Sequence, residues 1–544
     1  MKKYLLYTLA IVGLIGGTTS CDNFGSVNDD PEHLNNSNID PRLLFTQVQS
    51  QIAGSDWDIW RNGLIYTANM IQHTASPNWS EGVFYTQNNG YNSAYWEGYF
   101  SGSRAAIRNI TDAITRWENS PNNKVEIQYA RILKSYMYQM MTDLYGDIPY
   151  TEGGKDIDYP KYDKQKDIYI GILNELEEVN SILQGAPNST QLAAADVMYG
   201  GNTENWRKFG NSLMLRVAMR LSKVDEATAS QWAKKALSNG VFTSVEESAR
   251  VSHTGAIVSN DSAEPFGKIL TESDPEAFFL SEYFINELKN TSDPRIHLIA
   301  TKCSNLKNKW SSSNFDYGNS DNIDDLIGFP SGYETKSGAW NISNIPNFPA
   351  NEENWRTHYA VINRRTLANP ESPSMLVTHG QTQLLLADAA ARGFIDGGIT
   401  AAKAYFKAGL EASAEQFKLY SGAKNAYETY LTGTAYNNFL TERLAAFDTN
   451  PLQEINWHYY VVSLGNEYET FSNWRRSGYP DIKSVYDAPH NIKNYPLSIT
   501  NQIPRRFTYP TREAQINSVN YDEAVKSLDQ GDVMASRVWW DVKK

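Results

Sequence analysis

Apolar residues along most of this chain recur at three- and four-residue steps, the spacing that places them on one face of an α-helix. In EIQYARILKSYMYQMMTDLYG the apolar face runs through Ala130, Leu133, Met137, Met140, Met141 and Leu144, and Gly146 marks the stop. NWRKFGNSLMLRVAMRLSK repeats the pattern through Phe209, Leu213, Val217 and Leu221. A second helix follows after a short break, in EATASQWAKKALSNGVF, through Ala229, Ala233 and Leu237 to a stop near Gly240. Two helices joined by a short turn cannot bury their apolar faces alone, so such pairs must stack. MLVTHGQTQLLLADAAARG with GGITAAKAYFKAGLEASAEQF forms another pair, and SRAAIRNITDAITRWE can join the helix through Tyr129. Strand alternation is scarce. The pattern predicts a mostly α protein of tetratricopeptide-like helical hairpins forming a superhelical scaffold, without a strict 34-residue period.

Two stretches break the helical period. Residues 77–96 read PNWSEGVFYTQNNGYNSAYW, and residues 304–356 are rich in Asn, Ser, Gly and Pro with large aromatics threaded through them. Long loops inside a compact domain are usually functional or disordered, and disordered segments are poor in aromatics. Ordered, functional excursions are therefore expected.

The N-terminus follows a different pattern. Lys2 and Lys3 precede YLLYTLAIVGLIGG, an apolar run shorter than the ~20 residues of a transmembrane helix, and Thr18, Thr19 and Ser20 lead to Cys21. This is the layout of a secretory signal. A cysteine at the cleavage point predicts a bacterial lipoprotein acylated on Cys21, although Thr18 stands where the lipobox prefers Leu. Residues 1–20 are thus expected as signal peptide, 21–40 as a polar tether broken by Pro31, and 41–544 as the folded domain. Cys303 is the only other cysteine, so a lipidated Cys21 leaves no internal disulfide.

A formal net charge of −13 argues against nucleic acid, whose phosphates need basic neutralisation. Catalytic motifs with firm mechanics are missing. There is no GxSxG elbow, no HExxH, no histidine pair at helix-face spacing, no Walker loop and no dinucleotide fingerprint. A lone His379 reads as a capping or core residue. Adjacent acids such as Asp143 with Asp147, Asp324 with Asp325, and Glu352 with Glu353 could serve a glycosidase only if they faced one sugar bond, and sequence neighbours rarely do. NSDNIDD, residues 319–325, carries oxygen ligands for calcium but lacks EF-hand spacing. No cofactor is expected, with calcium left open.

Aromatic rings beside amide and carboxylate groups suit saccharides, which present flat C–H patches ringed by hydroxyls. The first irregular stretch offers Trp79, Phe84, Tyr85 and Tyr91 beside Asn88 and Asn89. The second offers Trp310, Phe315, Tyr317, Tyr333 and Trp340 beside Asn314, Asp316 and Asn341. Of these, Trp79, Phe84, Tyr85, Asn88, Tyr91, Trp310, Tyr317, Tyr333 and Trp340 are the candidate ligand residues.

Several segments together resemble the SusD/RagB family of outer-membrane lipoproteins. NWRKFGNSLMLRVAMRLS (205–222) is similar to its "W-x-KFANSL-x-LRLAMR" segment, DLYGDIPY (143–150) to its "GD-x-PY" turn, and QLLLADAAARG (383–393) to its "LLLAEAAxRG" helix. GNEYETFSNWRRSGYP (465–480) is similar to its "GxExYxxWRRTGYP" signature, and IPRRFTYPTREAQIN (503–517) and RVWWD (537–541) to its closing segments. Asp388 replaces the usual Glu, and Ser477 the usual Thr. The resemblance implies a helical body with a loop-rich, ligand-binding half. It implies a non-catalytic, lipid-anchored protein exposed on the outer membrane of Bacteroidetes. Such a protein captures oligosaccharides or peptides and delivers them to a SusC-like TonB-dependent transporter. The alternatives are a glycan-cleaving enzyme on a helical scaffold and a structural or adhesin-type surface lipoprotein. Family motifs mark scaffold, so Arg475 and Arg476 are expected as structural donors and Tyr479, Tyr509, Trp539 and Trp540 as packing residues.

Overall fold

A computed structural model describes residues 39–543, apart from 103, 258–261, 351–353, 488–490 and 494. Cys21, the signal and nearly all of the tether lie outside the described residues, as do Glu352 and Glu353. The first described helix starts at Pro41, where proline's missing N–H leaves no bond unmade. Asp40 caps it by accepting from the Arg42 backbone N–H at 2.9 Å.

The protein is mostly helical. The Lys124–Tyr145 helix packs on Gln165–Leu183, which packs on Thr203–Arg220, which in turn packs on Glu226–Asn239. Gly146 and Gly240 end their helices at φ values of 91° each, a left-handed conformation that other residues adopt only at a cost. Side-chain caps start the next helices. Asn202 accepts from the Asn205 N–H, and Asp225 from the Thr228 N–H, both at 3.0 Å. His379–Ala391 and Gly398–Glu415 make the tightest hairpin. A Cβ on Gly409 would stand 2.7 Å from Leu384 side-chain carbons, so glycine sets how closely the two helices approach. His379 opens the first of them directly behind the Thr378–Gln381 capping box.

The motifs that carry the family resemblance meet in two buried charge clusters, one around Arg220 and one around Asp388. Arg220 Nη2 lies 3.0 Å from Asp143 and 2.6 Å from Glu469, whose other oxygen accepts from the Tyr459 hydroxyl at 2.8 Å. Arg216 binds the Leu376 carbonyl and Gln381 Oε1, each at 2.8 Å. Asp388 accepts from Arg476 at 2.9 Å, Arg392 at 2.5 Å and Asn456 at 3.0 Å. Burial pushes the Asp388 carboxyl up, but Arg476 and Arg392 overcome this and hold it well below the usual carboxylate range. A buried charge is tolerable only when paired in this way. Arg475 is likewise buried, its guanidinium over the Trp540 ring at 4.7 Å. Arg475 of the WRR signature thus fastens the C-terminal segment to the helices, while Arg476 ties its own helix to Asp388 and Asn456.

The less regular half is stitched by short antiparallel pairings: Thr74–Ala75 with Phe279–Leu280, Ala249–Val251 with Ser374–Val377, and Ala300–Thr301 with Val361–Ile362. A second, smaller hydrophobic core forms here around Phe279, Cys303, Leu306, Phe329 and Tyr359. Much of the 304–356 segment therefore has a core of its own. No described helix is long and apolar enough to cross a membrane.

Candidate ligand-binding site

An aromatic surface open to solvent grows from a short turn, SDWDIWR, that the hydrophobic pattern does not single out. Ser55 and Asp58 form a capping box, Ser55 Oγ accepting from the Asp58 N–H and the Asp58 carboxylate from the Ser55 N–H at 3.1 Å. Arg104 pins that carboxylate from the far side, one of its bonds measuring 2.7 Å. The turn Asp56–Asp58 runs directly into a wider helix, Ile59–Ala68. Trp57 and Trp60, one turn apart, therefore project together, with ring centroids 5.5 Å apart and planes within 26°.

Trp79 comes from the first irregular stretch and meets Trp60 edge-on, at 4.7 Å and 80°. Tyr91 flanks Trp60 at 5.8 Å. One carboxylate fixes two of the indoles: Asp274 Oδ2 accepts from Trp79 Nε1 at 2.5 Å and from Trp60 Nε1 at 3.3 Å. Burial pushes the Asp274 carboxyl up, against the pull of the two indole bonds. Arg61 spans Trp57 and Tyr91, its guanidinium 3.7 Å and 5.1 Å from their ring centroids. Trp57, Trp60 and Trp79 line a cleft of about 440 Å³ with Asp56, Ile269, Ser273 and Asp274. Trp57 is 52% exposed. Large rings left half in water and held by polar partners suit a ligand with both apolar patches and hydroxyls.

The sequence-derived candidates divide. Trp79 and Tyr91 stand at this cleft. Phe84 and Tyr85 do not contact solvent, being 0% and 1% exposed, and their reading as ligand residues is corrected. Phe84 stacks on Tyr495 at 4.3 Å, and the Tyr85 hydroxyl accepts from the Val485 N–H at 3.3 Å. The cause is tertiary: Val485, Tyr486, Tyr495 and Ile499 lie over them, beside a bridge between Thr86 and Ser498. Asn88 caps the short helix Asn89–Asn92, accepting from the Tyr91 N–H at 3.2 Å. Tyr333 packs against the second core. Trp340 wedges beside Tyr495 and donates to the Lys493 carbonyl at 3.2 Å. Trp310, Phe315 and Tyr317 form a separate cluster.

Sequence reading missed Trp57, Trp60, Arg61 and Asp274. Two tryptophans one turn apart among acids were the available signal; Asp274, in TESDPE, carried none. Of the acid pairs considered for catalysis, Asp143 and Asp147 are otherwise engaged, while Asp324 and Asp325 stand exposed. Asp143 sits in the Arg220 cluster, and Asp147 receives the Gln165 N–H at 2.8 Å and Lys164 at 2.9 Å. Asp321 accepts from the Tyr430 hydroxyl at 2.8 Å. Among the described residues, no group of three or more His, Cys, Asp or Glu is arranged to hold a metal ion.

The sequence profile of a family described as "SusD-like; starch-binding associating with outer membrane" matches residues 33–510. The chain belongs to the SusD-like family. Solved structures agree with the fold of this SusD-like protein. A "chitin-binding protein" shares 27% identity at a TM-score of 0.72, over 93% of this chain and 100% of its own. A SusD-like protein described as Bacteroidetes AC2a shares 24% at 0.75, over 93% and 100%. A chitin-binding SusD homologue from Flavobacterium johnsoniae shares 21% at 0.68, over 93% and 99%. No curated protein sequence matches.

Proposed function

We propose that this protein is a cell-surface, glycan-binding lipoprotein, anchored through Cys21, that passes oligosaccharide without cleaving it to a SusC-like TonB-dependent transporter. The observation that carries the reading is the tryptophan cleft, with Trp57, Trp60 and Trp79 presented on rigid supports and one carboxylate among them. Membership of a family described as starch-binding and outer-membrane associated supports a glycan and a surface location. The 27% identical relative is described as chitin-binding, which favours β-linked N-acetylglucosamine oligomers as the first ligands to try.

Calorimetric titration of the mature protein with chitin oligomers, starch oligomers and mixed peptides tests this. Binding of a saccharide that disappears in a W57A/W60A/W79A variant, with no new reducing ends released, is the expected result. Binding of peptide alone, or cleavage of the sugar, would overturn it.

A further inference from the structure

We infer that the saccharide track continues from the tryptophan cleft across residues 271–272 onto Trp310 and Tyr317, so that the occupant is an extended chain and not a mono- or disaccharide. The inference rests on reading the cleft as a saccharide site.

Trp310, Phe315 and Tyr317 meet edge to face, with centroids 4.8–6.1 Å apart. None of the three belongs to either hydrophobic core or packs against one. Tyr317 is 39% exposed and Trp310 is half-buried. An aromatic cluster this size outside the core leaves apolar area in water.

The loop that carries the rings is nevertheless firmly built. The Asp316 carboxylate accepts four bonds of 2.7–2.8 Å, from the Ser304 N–H and hydroxyl and from the Asn305 and Gly318 N–H groups. Backbone bonds to this carboxylate overcome its burial and hold it below the usual range. Arg364, itself buried, reaches the Asp316 carbonyl at 3.0 Å and lies over the Phe315 ring at 5.0 Å. Arg365 donates to the Tyr317 and Gly318 carbonyls at 3.0 and 2.8 Å. Ring positions are thus fixed before any ligand arrives.

The loop is also fastened to the wall of the cleft. The Trp310 N–H donates to the Thr271 carbonyl at 3.0 Å, and Ser311 donates twice to the Glu272 carboxylate, at 3.1 Å each.

 Trp310 is tied to the cleft wall through its backbone, while its indole packs edge-on against Phe315 and Tyr317. Ile269, Ser273 and Asp274, on either side of those two anchor residues, line the cleft itself. A chain lying on Trp57, Trp60 and Trp79 therefore leaves the cleft beside Trp310. Once its first units are bound, contact with the second cluster is intramolecular and strengthens binding without a second loss of freedom.

The test is titration of wild type, W310A and Y317A with the dimer and hexamer of N-acetylglucosamine, with thermal melts of each variant and W310F as a ring-preserving control. Wild type is expected to bind the hexamer more tightly than the dimer. Each alanine variant is expected to lose about tenfold on the hexamer and less than about twofold on the dimer, while W310F keeps most of the hexamer affinity. Hexamer affinity unchanged in both alanine variants, or equal losses at both lengths, overturns the extended track and leaves the cleft reading standing. Wild type that binds neither oligomer, nor any other saccharide, brings both down.

Discussion

Replacing Trp57 by alanine separates binding from folding more cleanly than any other change in the cleft. The side chain is 52% exposed and lies outside the hydrophobic core. Its main partner besides Trp60 is the Arg61 guanidinium, a contact worth ~0.5–1 kcal/mol at an exposed site. Loss of stability should therefore stay within about 1 kcal/mol. Binding responds differently. A tryptophan fully covered removes ~150–250 Å² from water, so the face left open here offers on the order of 80 Å² to a sugar. At ~25 cal/mol per Å² this is about 2 kcal/mol, or roughly thirtyfold in Kd. Calorimetric titration with a chitin oligomer beside a melting curve reads both quantities. The buried Trp206 supplies the contrast. It is 0% exposed, stacks on Tyr129 at 5.0 Å and donates to Asp196 at 2.7 Å. Its alanine variant should lose ~3–5 kcal/mol of stability. If W57A melts like wild type and binds within about twofold of it, the ring does not touch the ligand and the reasoning from exposure fails.

Two further outcomes follow from buried carboxylates. Burial raises Glu264 from an ordinary 4.5 to about 7, although the Gly267 N–H and the Ser374 hydroxyl bind it at 2.5 and 3.0 Å. Between those values the folded state holds more protons than the unfolded one, so stability should fall by about 3 kcal/mol as pH rises from 4.5 to 7. Urea midpoints measured across that range should flatten in E264Q; an unchanged slope would assign the pH dependence to another group. Asp388→Ala strands Arg476 in the interior and should cost ~3–5 kcal/mol by chemical denaturation, with a loss under about 1 kcal/mol contradicting the role given to the cluster.

The helical half was legible because its elements obey local rules. Apolar steps of three and four residues gave the Lys124–Tyr145 and Thr203–Arg220 helices, and Gly146 and Gly240 ended theirs as glycine at positive φ does. The quoted motifs were legible as a family resemblance because they hold charges that must pair to be buried: Arg220 with Asp143 and Glu469, and Arg476 with Asp388. Burial of individual rings was not legible. Trp79 and Phe84 stand five residues apart in one irregular stretch, yet one lines a cleft and the other is sealed beneath Tyr486 and Tyr495. No local pattern encodes a covering loop some four hundred residues away.

The cleft itself assembles from positions 57–61, 79, 91 and 269–274, and its organising group is Asp274, 214 residues from Trp60 in sequence. That arrangement has an energetic consequence. A ring that must be immobilised on binding costs ~0.5–1.5 kcal/mol of affinity, and here two indoles are already held by one carboxylate in the free protein. The same carboxylate keeps a polar group at the floor of an otherwise aromatic surface, where a sugar hydroxyl can replace water. Neither Asp274 nor the three tryptophans take part in the buried charge clusters that fix the helices. Two disjoint sets of residues thus carry fold and recognition, so the ring pattern of the cleft can change what is bound while the scaffold beneath it stays the same.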